Sequence, residues 1–212
     1  MTDYEKFNKL TCAYDDDKHV VRFLWETPLP PKDNVIVIPV MPDGLLNYSE
    51  AQRYDMPFTN NFLQYNLKTV KNEIIPMNFI VFASNDNRIS SDMKFLVNNR
   101  DFYVSVSVGR VSLDYYLDEK KVDGFKQCKV TFFSSGKIPS DALCYSYSYK
   151  GKEFEFRMPE DIIAGENKIG MIYLPEQAEL RFEIDNKYQK NFTSFEQINS
   201  LDYLKYKLLK KR

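Results

Sequence analysis

The stretch from Tyr145 to Phe156 constrains this chain more than any other. Tyr145, Tyr147 and Tyr149 alternate with Ser146 and Ser148, and beyond Lys150-Gly151-Lys152 Phe154 and Phe156 alternate with Glu153 and Glu155. A period of two puts each aromatic set on one face of a strand, and a short glycine-bearing link between two such arms is a hairpin turn. A helix would scatter the same rings around its axis. Register decides what the tyrosines do. If they share the phenylalanine face they belong to the core and the serines point out. If they do not, Tyr145, Tyr147 and Tyr149 form an exposed platform for a sugar or a protein.

Similar signals recur along the chain. Strands are expected over Val20–Trp25, Phe62–Val70, Ile74–Ala83, Phe102–Val108, Lys168–Leu174 and Leu180–Asp185. Asp123-Gly124 predicts a second hairpin, and Met93–Val97 with Phe102–Val108 a third. Val35-Ile36-Val37-Ile38 does not alternate, so it buries both faces, with Pro39 and Pro42 ending it. Pro28, Pro30 and Pro31 demand an extended, donor-poor stretch. Residues 42–61 are too long for a plain loop and read as a functional loop, a short helix near Tyr48–Tyr54, or an arm reaching a neighbour. Asn85–Arg88 reads as a turn, and Gly109 as a bulge before Val111 and Leu113.

The two ends change period. Thr2 and Glu5 have capping-box spacing for a short helix or turn. Ser194 and Gln197 have the same spacing, and Phe195, Ile198, Leu201, Leu204 and Leu208 follow at helical intervals. One amphipathic helix over 194–212 is expected, with Lys205, Lys207, Lys210, Lys211 and Arg212 at its cation-favouring end. Its apolar face either caps the sheets or docks in a groove of another chain through Leu204 and Leu208.

Seven of the ten prolines lie at or before Pro76 and six of the seven glycines at or after Gly109, so a stiff first third precedes a region of hairpins. The expected fold is mainly β: an antiparallel β-sandwich, jelly-roll or Ig-like, over 85–190. An extended N-terminal β segment over 1–84 packs on it or on a neighbour, and the helix occupies 191–212.

Reactive chemistry finds little support. The single histidine, His19, sits between an acidic run and an apolar strand, with no nucleophile motif nearby. Cys12, Cys128 and Cys144 are odd in number and widely spaced, which suits neither a disulfide framework nor a zinc site completed by His19. Ser135-Gly136-Lys137 lacks the earlier glycine and the hydroxyl residue of a phosphate loop. Glu153 and Glu155, or Glu179, Glu183 and Asp185, offer same-face carboxylates, yet a solvated sheet face carries such pairs anyway. Asp15–Asp17 and Asn85–Asn87 are oxygen-rich without a calcium-loop pattern. Asn47 and Asn191 head formal glycosylation sequons whose meaning depends on secretion.

No catalytic, cofactor-binding or metal-ligating residue is therefore expected, and no enzyme. The balance of 29 Lys+Arg against 30 Asp+Glu argues against nucleic acid as a partner. MTDYEKFNKL has no apolar core of a signal peptide, and no run suits a membrane span, so cytoplasmic synthesis without membrane insertion is expected. Fifteen tyrosines and sixteen phenylalanines favour sticky surfaces. Abundant Asn, Lys, Tyr, Phe and Ile with few Gly and His resemble the products of AT-rich genomes, including many phages and viruses. The expectation is a non-enzymatic structural or assembly protein, oligomeric and incorporated into a virion, with Tyr145, Tyr147, Tyr149, Leu204 and Leu208 as contact residues. The alternative is a module binding carbohydrate or a host protein. A carboxylate- or metal-dependent enzyme ranks third.

Overall fold

The computed structural model describes residues 4–26, 30–41, 43–55, 61–67, 72–85 and 100–209. The chain is mainly β, built from antiparallel sheets, with a short helix near its C-terminus. It divides into two compact units, Met1–Val70 with Pro76–Val108, and Lys71–Ile75 with Gly109–Arg212. Phe102–Val108, expected in the C-terminal sandwich, belongs to the first unit.

The first unit contains β1 (Tyr4–Glu5), β2 (Asn8–Asp15), β3 (Val20–Glu26), β4 (Asn34–Val40), β5 (Gln52–Asp55), β6 (Phe62–Asn66), β7 (Ile75–Ser84) and β8 (Tyr103–Val108). One sheet runs β1-β7-β4-β5 with β8 also on β7, and the other runs β2-β3-β6. The unbroken Val35–Ile38 run pairs on both sides and is fully buried on both faces. Val35, Val37, Phe79 and Val81 share one face, where Phe79 meets the rings of Phe23 and Tyr65 at 5.3 and 5.2 Å. Ile36, Ile38, Ile80 and Phe82 share the other and cluster with Leu46 and Phe102.

Two expectations change in this unit and one is met in part. Pro39 does not end the strand; it lies inside β4 opposite Phe79. Its carbonyl accepts from Asn47 N at 2.8 Å. The N–H and C=O of a strand residue point the same way, so the missing donor is on the side away from β7 and breaks no bond of that pairing. The short helix expected near Tyr48–Tyr54 is present only at its start, because Gln52–Asp55 is strand. A 3-10 turn, Tyr48–Glu50, leads into β5, and Tyr65 Oη donates to Glu50 O at 2.9 Å, tying the stretch to its own unit. Glu5 lies in a strand paired with β7, not in a helical turn. The positions of Thr2, Pro28, Pro42, Asp86–Arg88 and Met93–Val97 lie outside the described residues.

The second unit contains β9 (Val111–Val122), β10 (Phe125–Ser134), β11 (Leu143–Tyr149), β12 (Lys152–Arg157), β13 (Gly165–Pro175), β14 (Leu180–Ile184), β15 (Phe192–Gln197) and α1 (Ser200–Leu209). Sheets ordered β13-β10-β9-β15 and β12-β11-β14 contribute to one core, in which Phe132 and Phe182 lie 5.2 Å apart. The unit's second strand pairs with its fifth in one sheet and its third with its sixth in the other, as strands B–E and C–F do in an immunoglobulin arrangement. β15 departs from the antiparallel rule and runs parallel to β9.

Both predicted hairpins of this unit form. Asp123-Gly124 (φ 47° and 79°) and Lys150-Gly151 (φ 49° and 73°) have two consecutive positive φ values, the turn that matches strand twist. Gly109 is no bulge within one strand; at φ 85° it separates β8 from β9, which belong to different units. Gly136 answers to crowding. A Cβ there would stand 1.8 Å from Asn72 O, where Ile74 N donates to Lys137 O at 2.8 Å.

The C-terminal segment is shorter as a helix than its spacing suggests. Phe192–Gln197 is strand, because β9 offers it an edge. The helix starts after Asn199, whose Oδ1 accepts from Leu201 N and Asp202 N at 2.9 and 3.0 Å, so Ser194 and Gln197 are not its cap. Lys210–Arg212 lie outside the described residues.

Candidate interaction surfaces

The β11–β12 register places Tyr145 opposite Phe156, Tyr147 opposite Phe154 and Tyr149 opposite Lys152. Tyrosines and phenylalanines thus share a face, the one that also carries Leu180 and Phe182 of β14. The rings stack nearly parallel, Tyr145 on Phe156 at 5.2 Å and Tyr147 on Phe154 at 5.0 Å. Burial falls off along the row. Phe182 is in the core, Tyr145 and Tyr147 are half-buried against it, and Phe154 and Phe156 are 37% and 42% exposed. The shared face is therefore core at one end and an open aromatic shelf at the other. Tyr149 is half-buried at the hairpin tip, with Lys150 Nζ 5.1 Å from its ring centre. Ser146, expected outside, is buried between Glu155 and Arg181 of the adjacent strands.

Every residue of β12 is exposed, and the strand is the last in its sheet among the described residues. Its opposite face carries Glu153, Glu155 and Arg157. Nothing in the sequence marked Phe154 and Phe156 as open to water, because alternation reports a shared face and not whether that face is covered.

The second surface is α1. Of the two expected roles for its apolar face, capping the sheets or staying open for another chain, the structure leaves Leu201, Leu204 and Leu208 uncovered and seats the tyrosines instead. Tyr203 stacks on Tyr116 at 4.2 Å and Tyr206 on Phe133 at 4.3 Å, on the outer face of the β13-β10-β9-β15 sheet. Tyr206 Oη donates to Asp114 Oδ2 at 2.6 Å, and Lys207 Nζ pairs with Glu166. That bond to Asp114, with burial, pushes the Tyr206 hydroxyl up to about 12. Leu201, Leu204 and Leu208 are left 64%, 56% and 66% exposed as a row one turn apart. Tyrosines outcompeted leucines because Asp114 and Glu166 give their polar tips and Lys207 fixed partners that a leucine face lacks.

The residues weighed for chemistry do not gather. His19 is an exposed turn residue at φ 52°, its ring 3.4 Å from Tyr14 Oη. Burial pushes the Cys12 and Cys128 thiols up to about 11, and burial with nearby Glu155 and Glu183 raises Cys144. Thiols held protonated are poor nucleophiles and metal ligands. Among the described residues no group of three His, Cys, Asp or Glu side chains is placed to hold a metal ion. An open cleft of about 590 Å³ lies beside β14 and β15, lined by Phe182, Glu183, Gln189, Thr193, Ser194 and Phe195, with Glu183 its one charged side chain. Among the described residues no helix is long and apolar enough to cross a membrane. No protein family and no curated protein matches this chain.

Proposed function

We propose that this protein is a non-enzymatic structural or assembly component, acting through contacts with copies of itself or with other parts of a phage or virus particle. The leucine row of α1 carries the reading. Three large apolar side chains stand in water on a helix whose other side is anchored by stacked tyrosines and two charged contacts. A rigidly held apolar row gains about 25 cal/mol for each Å² it hides from water, so it favours a groove on another protein over solvent. The aromatic shelf adds a second apolar surface on the same unit. The virion setting draws on the AT-rich compositional bias and the aromatic load of the sequence.

Light scattering on the purified full chain at micromolar concentration tests the reading. The expected mass exceeds one chain and rises with concentration. A single-chain mass at every concentration overturns it.

A further inference from the structure

The edge of β12 is poised for one occupant, and the hairpin geometry says which. Tyr149 and Lys152 flank a two-residue turn and so form a hydrogen-bonded pair. Bonded and non-bonded pairs alternate from there along an antiparallel ladder. Tyr147/Phe154 and Tyr145/Phe156 are bonded, and Ser148/Glu153, Ser146/Glu155 and Cys144/Arg157 are not. The bond from Met158 N to Leu143 O, 3.3 Å, falls where this alternation puts it. The N–H and C=O groups of Glu153, Glu155 and Arg157 therefore point away from β11, along the open edge.

We propose that β12 pairs antiparallel with β12 of a second copy about a two-fold axis at Glu155, joining two three-stranded sheets into one of six strands. This names the partner within the assembly reading above and rests on it. Three consecutive outward-pointing residues meet their symmetry mates as Glu153 with Arg157, Glu155 with Glu155, and Arg157 with Glu153 of the two copies. All three are hydrogen-bonded pairs, so the whole set of outward backbone groups is satisfied. Only registers that match outward groups to outward groups are allowed, and these keep both phenylalanine faces on one side. Phe154 then faces Phe156 of the other copy in the close, non-bonded positions, and the two shelves become one band of eight rings.

Charge supports the same occupant. The two Glu153–Arg157 pairings are attractive, and Glu155 against itself is the one repulsive contact. Edges that proteins protect carry proline, a bulge or charged side chains; the charges of β12 are of both signs, and in this register two of the three facing pairs attract. β12 has no proline and pairs with β11 without a register shift.

The test uses the full chain in equilibrium sedimentation. Glu155→Pro removes an N–H that points away from β11 and should leave the circular dichroism spectrum intact while abolishing the β12 dimer. Glu155→Gln removes the central repulsion and should tighten the dimer roughly two- to fivefold. Arg157→Glu should weaken it about tenfold or more, and Glu153→Arg with Arg157→Glu should restore it. Residues facing each other in a bonded pair lie about 5.5 Å apart at Cα, within disulfide reach. Oxidised Glu155→Cys should therefore cross-link beyond the wild-type background, and Glu153→Cys should not. A wild-type monomer sinks the assembly reading and this pairing together. A wild-type oligomer untouched by Glu155→Pro, or looser with Glu155→Gln, or cross-linked at position 153 instead of 155, sinks the pairing alone.

Discussion

β4 of the first unit and β12 of the second are strands of similar length in the same chain with opposite fates. β4 is buried from Asn34 to Pro39 on both faces and bonded on both edges; β12 is exposed throughout and bonded on one. A consecutive β-branched run cannot stop at one covered face, since half of its side chains would be stranded in water. An alternating Phe/Glu strand can stop there, because its carboxylates solvate the second face whatever happens to the first. β4 thus has its apolar residues inside, and β12 leaves Phe154 and Phe156 open to water.

Breaking each strand's neighbourhood measures the contrast. Phe79→Ala should cost about 3–5 kcal/mol, because the ring fills the space between Phe23 and Tyr65. Trp25, the only tryptophan, is buried in the first unit and reports that loss as a lower urea midpoint in its fluorescence. Phe156→Ala, already open to water, should cost under about 1 kcal/mol in the second unit. Equal costs would erase the distinction between the two strands.

Gly136→Ala should cost the second unit roughly 1–3 kcal/mol, because backbone at Asn72 has to move aside. Alkylation of Cys128, fully buried in that unit, serves as the probe and should accelerate accordingly. An unchanged rate would mean that the contact with residues 72–74 is dispensable.

Asp161 sharpens the picture by about 1 kcal/mol or less, since its partners are partly exposed. The bond from Lys137 Nζ, 3.0 Å, and that from Ser140 N, 2.8 Å, hold its carboxyl below the usual carboxylate range. A lowered folded value means that the charged form is the stabilising one. The contribution is complete above the unfolded carboxylate value and fades as pH falls through the folded one. Asp161→Asn should therefore be less stable than wild type at pH 7, with the gap closing as acid protonates the folded carboxyl. A gap that persists in acid would assign the effect to shape instead of charge.

The smallest stability change belongs to Leu204→Gln with Leu208→Gln, expected within about 0.5 kcal/mol because neither residue is buried and glutamine keeps the helix propensity. Its effect should appear as a lower mass in light scattering. A large stability loss with no change in mass would return the leucines to the core.

The hairpins were legible because two-residue turns and period-two alternation are local: Asp123-Gly124 and Lys150-Gly151 decide their own backbone angles. The two-faced burial of Val35–Ile38 was legible for the same reason. The C-terminal helix was half legible. Its existence follows from spacing, but Phe195 and Ile198 fit a helical stripe equally well while β9 claimed Phe192–Gln197 as a strand. Of the contact residues named from sequence, Leu204 and Leu208 are exposed, whereas Tyr145 and Tyr147 lean on the core and their partners Phe154 and Phe156 carry the open surface.

By itself the sequence determined which residues share a face, since periodicity is a property of neighbouring backbone angles. Tertiary structure alone decided which faces are covered and by what: Tyr206 against Phe133 in place of a leucine, Pro39 inside a central strand, β12 left at an edge. Those outcomes depend on partners tens of residues away in the chain, and no local pattern of side chains encodes how far an opposing layer extends.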